Sequence, residues 1–369
     1  MTLRADQLGS LLRPPELLEA RDAHDAGRIG DDELRRAEDD AILQALDLQR
    51  EVGLEIFSDG EYRRGWFAGG LPAVIYGLVD NDETMVFQWE GAGSSSATVV
   101  TEKVELGTKH AGRRLSTTGR IAEVETAFLR EHSPGPFKIT FTGAMHFVRD
   151  WYRPGATDAY PNHQAMTADV VSFIRDEVAA VVREGASYVQ LDSLLYVIPV
   201  PEDLLPDASL SREQSMGEMI EADNAVLAPA REAGVTTALH MCRGNNRSSW
   251  IPAGDSYEAC AEQAFSQLQV DRLLLEYDTE RAGDFAPLRF VRDDTMVVLG
   301  LISSKFPELE SPDDLKRRIE AASKYVPVER LGISTQCGFA STAPGNLITW
   351  DDQRRKLELV VKTAQEVWG

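Results

Sequence analysis

The second half of the chain alternates short apolar runs with longer amphipathic stretches. The apolar runs are rich in leucine and β-branched residues, and they predict strands at residues 188–195, 236–242, 273–278, 296–303 and 331–336. Apolar residues at helical spacing predict helices at residues 211–233, 257–270, 285–291, 312–325 and 350–367. Strands that alternate with helices pair in parallel through right-handed crossovers, so this half predicts a parallel sheet.

The first half follows the same alternation. An apolar run at residues 7–12 that closes on a Pro-Pro pair predicts a first strand with its exit loop. Helical patterns follow at residues 15–26 and 31–53, and Gly53 ends the second as C-terminal glycines commonly do. The series continues with strands at residues 54–61 and 138–143 and a helix at residues 165–185.

Residues 84–122 depart from this rhythm. Apolar and polar residues alternate at residues 85–89, 97–104 and 114–121, and a glycine- and serine-rich segment lies at residues 91–96. That pattern is typical of a β-hairpin, so we predict a hairpin insertion around residues 84–122.

The strands outside the hairpin number eight, which predicts an α/β fold of the (β/α)8 TIM-barrel type. An open doubly wound sheet is the alternative that the same alternation permits. Since no linker, low-complexity tract or repeat interrupts the series, we expect a single domain over residues 1–369.

The net charge of −22, from 60 acidic and 38 basic residues, narrows the range of partners. Such a surface repels phosphate backbones and anionic membranes, so we expect no nucleic-acid and no membrane partner. No apolar run is long enough to cross a bilayer, and the N-terminus lacks the apolar core of a signal peptide. The 3 cysteines are too few and odd in number for a disulfide framework, which favours a reducing, cytoplasmic location.

Polar residues recur at one position of the predicted units, the C-terminal end of each strand. The residues at these ends are Ser10, Glu61, Asp192, His240, Cys242, Glu276, Ser303 and Cys337. In a TIM barrel the carboxyl ends of the strands form the catalytic face, so we expect these side chains to share one site.

His240 and Cys242 lie two residues apart on one predicted strand, so their side chains point to the same face. Imidazole and thiolate are zinc ligands, and Glu276 and Cys337 supply two more from other strand ends. We therefore hypothesise a Zn²⁺ site built from these four residues, with Gly338 allowing the backbone to turn tightly after Cys337.

The alternative to a metal site is a core histidine beside a buried free thiol. Glu276 would then pair with Arg247 or Arg281, because burying a bare carboxylate is costly. Cys260 lies within a helical pattern between two alanines, and we interpret it as a structural residue.

Seven motifs together resemble the C-terminal catalytic barrel of cobalamin-independent methionine synthase. They are QLGSLLRP, SDGEYRR, VQLDS, HMCRGN, LLLEYD, LGLISSKFPELES and STQCGF. The resemblance runs from about residue 7 to the C-terminus. It is closest to the short, single-barrel members, which include stand-alone methionine synthases and zinc-dependent epoxyalkane:coenzyme M transferases.

The resemblance implies a role for several strand-end residues. Its zinc ligands fall on the four residues that the strand ends already suggested. The homocysteine carboxylate is expected near Leu8, Gly9 and Ser10, and the amine near Glu61 and Asp192. Ser303, in the LGLISSKFPELES motif, is a further candidate for substrate binding.

This chain departs from the family pattern at two places. The Asp-Glu-Pro that follows the fourth strand in the family is here Asp192, Ser193 and Leu194, so one carboxylate is missing. The histidine that the full-length synthase is proposed to use as proton donor to folate has no counterpart in residues 302–306. Lys305 is the candidate for that role, unless the donor is an epoxide or a methylcorrinoid that needs less help.

These observations imply an enzyme that transfers a methyl or alkyl group to a thiol. Zinc deprotonates a coordinated thiol, whose free pKa is about 8.5. Homocysteine, giving methionine, is the expected acceptor because Glu61 and Asp192 suit an amino-acid thiol. Addition of coenzyme M to an epoxide is the first alternative, and a non-catalytic metal-binding protein is the second. The sequence leaves open the alkyl donor and the oligomeric state, so an oligomer is allowed.

Overall fold

A computed structural model describes residues 3–91, 102–153, 155–198, 209–251 and 256–369. The strands are β1 (Ala5–Asp6), β2 (Ile75–Trp89), β3 (Glu102–Thr117), β4 (Lys138–Thr142), β5 (Tyr188–Ser193), β6 (Thr236–Met241), β7 (Arg272–Glu276), β8 (Met296–Ile302) and β9 (Leu331–Thr335). The helices are α1 (Pro15–Asp25), α2 (Asp31–Val52), α3 (Gly70–Val74), α4 (Glu123–His132), α5 (Ala144–Trp151), α6 (His163–Arg183), α7 (Arg212–Glu232), α8 (Glu258–Gln267), α9 (Pro312–Ala322) and α10 (Trp350–Trp368).

The centre of the fold is a curled parallel sheet of seven strands, in the order β1-β9-β8-β7-β6-β5-β4. Each pair is in parallel register, and α-helices connect the successive strands of the second half except β7 and β8, where the predicted helix at residues 285–291 is a short 3-10 helix, Ala286–Phe290. The predicted alternation of strands and helices is therefore confirmed for this half of the chain.

The helix ends follow from local chemistry. Gly53 adopts a left-handed conformation with a φ of 87° and ends α2 at the predicted residue. Ser211 and Gln214 form a reciprocal capping box at the start of α7, which satisfies backbone N–H groups that the helix itself cannot pair.

The predicted eighth strand at residues 54–61 is not a regular strand. Phe57 forms one parallel bridge to Phe137, and the Gly60 carbonyl accepts from Leu11 N at 3.1 Å. Residues 57–60 thus contact β4 at one edge of the sheet and the irregular segment that follows β1. Gly60 and Glu61 adopt φ angles of 66° and 60°, which end an extended conformation. The parallel sheet of the described residues therefore has seven regular strands, and the eight-stranded barrel stays a prediction.

The predicted first strand is displaced towards the N-terminus. β1 covers Ala5–Asp6 and pairs with β9, whereas residues 7–12 are irregular. The Gln7 side chain accepts from Gly9 N at 2.6 Å, and Gly9 has a φ of 110°. This local turn, which glycine alone permits without strain, carries the chain away from strand geometry.

An antiparallel pair, β2 and β3, occupies the region where a hairpin was predicted. Its register runs from Ile75 opposite Thr117 to Trp89 opposite Glu102, so the pair begins earlier than residue 84 and ends before residue 122. Part of the predicted strand at residues 97–104 and the predicted turn lie outside the described residues. A hairpin insertion therefore stays a prediction. Helices α3, α4 and α5 were not predicted.

Two apolar clusters divide the faces of the sheet. Leu273, Leu275 and most helix residues belong to the larger cluster, between the sheet and the helices. Leu274 belongs to a smaller cluster on the other face, with Leu8, Ile56, Tyr188, Ala238 and Val298. Because side chains alternate along a strand, residues two positions after Ala238 and Leu274 point to the inner face of the curled sheet.

The helices in the described ranges include none with the length and apolar character needed to cross a membrane.

Candidate metal centre

Four side chains meet at the C-terminal ends of strands β6, β7 and β9. One potential ligand atom from each of His240, Cys242, Glu276 and Cys337 lies within 4.8 Å of the others, and all four residues are buried. His240 is on β6, Cys242 follows that strand, and Glu276 is the last residue of β7. The alternation that places Ala238 and Leu274 on the inner face also places His240, Cys242 and Glu276 there.

The distances within this cluster are those of groups that converge on a common point. The two thiol sulfurs, Cys242 Sγ and Cys337 Sγ, are 3.7 Å apart. His240 Nε2 lies 3.9 Å from Glu276 Oε1. The two sulfurs are too far apart for a disulfide bond, so both cysteines are free thiols.

The imidazole of His240 is oriented by a single backbone contact. Its Nδ1 lies 3.2 Å from the carbonyl oxygen of Leu274, and a carbonyl can only accept, so Nδ1 carries the proton. Nε2 is buried and has no hydrogen-bond partner among the described residues. Metal-binding histidines are commonly held in this way, with one nitrogen donating to the protein and the other nitrogen facing the metal.

Backbone amides support two of the other side chains. Arg243 N donates to Glu276 Oε1 at 2.8 Å, and Gly244 N donates to Cys242 Sγ at 3.4 Å. The second carboxylate oxygen, Glu276 Oε2, is buried without a hydrogen bond in the described structure, and Arg281 Nη2 lies 3.8 Å from it. Of the two arginines considered as partners of Glu276, Arg281 is thus the nearby one.

The electrostatics of the cluster favour a bound cation. Burial lowers the pKa of His240, but the neighbouring Cys337 and the charges of Asp192 and Glu276 outweigh burial and raise the pKa to about 9. Burial raises the pKa of Glu276, and the hydrogen bond from Cys242 helps to hold the pKa of Cys337 well below its usual range. A cation among these groups would offset their negative charge.

The donor set fits zinc. Two thiols, one imidazole and one carboxylate are soft and borderline ligands that zinc accepts in a tetrahedral site. The unpartnered His240 Nε2 and Glu276 Oε2 are the buried polar atoms that a metal would satisfy. The sequence-predicted ligands are therefore in place to hold a metal.

Asp192 and Glu61 lie beside the cluster. Asp192 is the register partner of His240 on the neighbouring strand and accepts from Gln190 Nε2 at 2.8 Å. Glu61 Oε1 accepts from Thr140 Oγ1 at 2.8 Å. Burial raises the pKa of Glu61 to about 7 and that of Asp192 to about 6, and the charge of Asp192 adds to the shift at Glu61. Two neighbouring buried carboxyls favour a cationic neighbour, and Arg64 Nη1 already lies 3.9 Å from Glu61 Oε1.

Lys305 is also buried close to the cluster. Its ammonium nitrogen has no hydrogen-bond partner within the described part of the chain. Burial raises the pKa of Glu276, and the positive charge of Lys305 opposes that shift. Burying an ammonium group without a hydrogen-bond partner costs free energy of folding. Lys305 near the cluster is therefore a candidate functional residue.

The two predicted serines differ in their surroundings. Ser10 packs against the turn after Cys337, since a Cβ added at Gly338 would lie 1.9 Å from Ser10 Oγ. The Ser303 hydroxyl donates its proton to Asp278 Oδ2 at 2.9 Å, so it can only accept a hydrogen bond from a substrate. Cys260 lies on α8, where its sulfur contacts the Tyr257 carbonyl at 3.3 Å, and it is not a member of the cluster.

Several residues around the cluster were not predicted from the sequence. Tyr257 OH accepts from Glu276 N at 2.8 Å and donates to the Met241 carbonyl at 3.1 Å, which ties the ends of β7 and β6 together. Arg243 and Gly244 act through their backbone N–H groups. Every residue except proline has such a group, so the residue type does not indicate this role. Their position directly after Cys242 is the signal that the sequence offered.

The family model described as cobalamin-independent synthase, catalytic domain, matches residues 5–366. The uncharacterised protein YxjG of Bacillus subtilis (strain 168) is 35% identical over 375 residues, covering 99% of this chain and 94% of YxjG. A methionine synthase of Thermococcus kodakarensis is 22% identical over 333 residues, covering 90% of this chain and 85% of that protein.

A solved structure from Listeria monocytogenes, proposed to be a vitamin-B12-independent methionine synthase, has the same architecture. It superposes with a TM-score of 0.74 at 27% identity and covers 99% of this chain and 98% of the Listeria chain. The similarity in sequence and in fold therefore extends over nearly the whole chain.

Proposed function

The chain belongs to the family of cobalamin-independent synthase catalytic domains, and from that membership we propose that it is a zinc-dependent methyltransferase acting on a thiol. Homocysteine is the proposed acceptor and methionine the product. The observation that carries the proposal is the buried cluster of His240, Cys242, Glu276 and Cys337, with an unpartnered histidine nitrogen directed into it. We propose further that residues 1–369 act as one catalytic domain.

The four residues of the cluster would hold the zinc. When bound, zinc deprotonates a coordinated thiol and keeps it as a thiolate near neutral pH. The chain itself orients the histidine through the Leu274 carbonyl and the glutamate through Arg243 N. These contacts limit the positions that the two side chains can adopt, as outer contacts of metal ligands commonly do.

Asp192 and Glu61 would bind the ammonium of an amino-acid thiol. Asp192 neighbours His240 across the β5–β6 register, and the charges of Asp192 and Glu61 affect each other. An ammonium between them would stabilise the ionised form of both carboxyls. A thiol that carries a sulfonate instead, such as coenzyme M, would meet repulsion at this place.

Lys305 would serve the alkyl donor. Its buried, unpartnered ammonium is the proton source that we propose in place of the histidine found in the full-length synthase. A leaving group that departs as an anion needs a proton or a positive charge, and Lys305 supplies either. Ser10, next to the turn after Cys337, is proposed to contact the acceptor thiol. Ser303 is proposed to position the segment that carries Lys305 through its hydrogen bond to Asp278.

The direct test is thiol consumption. Zinc-loaded protein is incubated with homocysteine or with coenzyme M and a panel of methyl donors and epoxides, and loss of free thiol is followed. We expect homocysteine to be consumed with a methyl donor and methionine to appear. Consumption of coenzyme M with an epoxide, with homocysteine ignored, would instead assign the chain to the epoxide-opening reaction.

Asp192→Asn is expected to weaken acceptor binding specifically. A charge-assisted hydrogen bond contributes roughly 1.5–3 kcal/mol, so the KM for homocysteine should rise about ten-fold or more. Zinc content should stay unchanged. A thiol without an amine, such as mercaptopropionate, is the control, and its KM should barely change. An equal rise for both thiols would show that Asp192 does not bind the amine.

A further inference from the structure

The β2–β3 pair reaches the loop that follows the metal cluster. This loop, residues 243–251, is called the metal-site loop below. Glu90 and Trp250 form an antiparallel bridge, in which Glu90 N donates to the Trp250 carbonyl and Trp250 N donates to the Glu90 carbonyl, both at 2.8 Å. The residue directly after β2 is thus hydrogen-bonded to the far end of the metal-site loop.

Gly91 makes this contact close. It is buried, it has a φ of 112°, and a Cβ at this position would lie 2.3 Å from the Trp250 ring. Any side chain at residue 91 would therefore push the indole away and would also strain the backbone. The indole packs directly on the glycine backbone.

Trp250 also contacts an arginine next to the cluster. The Arg281 guanidinium carbon lies 5.3 Å from the centroid of the Trp250 ring, within the range of a cation–π interaction. Arg281 Nη2 is 3.8 Å from Glu276 Oε2, and the Arg281 carbonyl accepts from Arg243 Nη2 at 2.8 Å. A continuous series of contacts therefore joins Gly91 to Glu276.

The two ends of the metal-site loop also touch each other. A Cβ at Gly244, which has a φ of 91°, would lie 2.6 Å from Ile251 N. The start of the loop supplies the N–H groups that bind Glu276 Oε1 and Cys242 Sγ. A displacement of Trp250 would accordingly move the donors that orient two of the four cluster residues.

We propose that Glu90 and Gly91, directly after β2, form a positioning element for the metal centre, acting through Trp250 on the metal-site loop and Arg281. The inference rests on the proposed metal binding by the cluster. It assigns a function to the antiparallel pair, which lies outside the parallel sheet and which the methyl-transfer proposal does not use. Outer contacts of metal ligands typically change metal affinity by about 10–100-fold.

The test compares Gly91→Val and Trp250→Ala with the wild-type protein. Gly91→Val forces the indole away, and Trp250→Ala removes it. Zinc transfer to a chromogenic chelator is timed, and the visible spectrum of the cobalt(II)-substituted protein is recorded. Both variants should release zinc about ten-fold faster or more, and the cobalt spectrum should shift because the ligands are less constrained.

Gly77→Ala is the matched control. Gly77 lies on β2 with a φ of 110°, and a Cβ there would approach Arg113, at the opposite end of β2 from Trp250. This control should keep the wild-type release rate and spectrum. Wild-type rates in both test variants, or an equal change in Gly77→Ala, would overturn the positioning role. If the wild-type protein itself takes up neither zinc nor cobalt, the proposed function fails instead.

Discussion

Replacing Cys337 with serine is expected to abolish thiol alkylation and to remove most of the zinc while the sheet stays folded. A serine hydroxyl is not deprotonated near neutral pH, so the site loses an anionic, soft ligand. The loss should exceed the roughly 10–100-fold in metal affinity that outer contacts contribute. Cys337 follows β9 at the rim of the sheet, which explains why the fold should survive. Metal analysis, the alkylation assay and circular dichroism measure the three effects.

Cys260→Ser is the matched control for this prediction. Cys260 is as buried as Cys337, yet it lies on α8 and outside the cluster. Its replacement should leave both zinc content and activity near the wild-type level. Loss of zinc in Cys260→Ser, with zinc retained in Cys337→Ser, would show that the wrong cysteine has been assigned.

Asp6→Ala is expected to cause a large loss of stability without touching the metal cluster. Asp6 and Lys138 are paired inside the sheet, with Oδ1 and Nζ 2.7 Å apart and both side chains 0% exposed. Tyr188 OH also donates to Asp6 Oδ2, at 2.9 Å. Removing the carboxylate leaves a buried ammonium without its counter-ion, which typically costs about 3–5 kcal/mol. Urea unfolding, followed by fluorescence, measures the change.

Glu366→Ala provides the comparison for Asp6→Ala. Lys316 and Glu366 form an ion pair at 2.6 Å, but both side chains are partly exposed to solvent. Water and salt screen such pairs, so the urea midpoint should stay nearly unchanged. If Asp6→Ala is as mild as Glu366→Ala, the buried pair contributes little to the fold.

Local patterns in the sequence were sufficient to predict the regular second half of the fold. The spacing of apolar residues and the capping of helix ends are determined by residues that are close in sequence. The left-handed Gly53 after α2 and the Ser211 capping box of α7 are examples. For the same reason, strands β5, β6, β8 and β9 lie within the ranges that apolar runs predicted, and β7 begins one residue before its predicted range. The sheet order then follows from the preference for parallel, right-handed connections.

The failure at residues 54–61 has a long-range cause. The buried side chain of Gln49, on α2, accepts from Ser58 N at 3.0 Å and donates to the Ser58 carbonyl at 2.9 Å. These bonds take the backbone groups that a neighbouring strand would otherwise pair. No feature of residues 54–61 themselves reports that a helix residue will bind them.

The metal cluster could be predicted because strand ends of a parallel sheet converge. His240, Cys242 and Glu276 needed only their strand assignments to be placed together. Its outer contacts could not be predicted, because they depend on backbone N–H groups and on the pairing of Glu90 with Trp250 across the chain. The choice of Arg281 rather than Arg247 near Glu276 likewise depends on loop geometry.

Zinc K-edge X-ray absorption of protein purified without chelators would show whether the cluster binds zinc and through which atoms. We expect about one zinc per chain, with two sulfur neighbours at about 2.3 Å and two nitrogen or oxygen neighbours at about 2.0–2.2 Å. A folded protein that alkylates thiols without zinc, or zinc bound with no sulfur neighbour, would contradict this expectation.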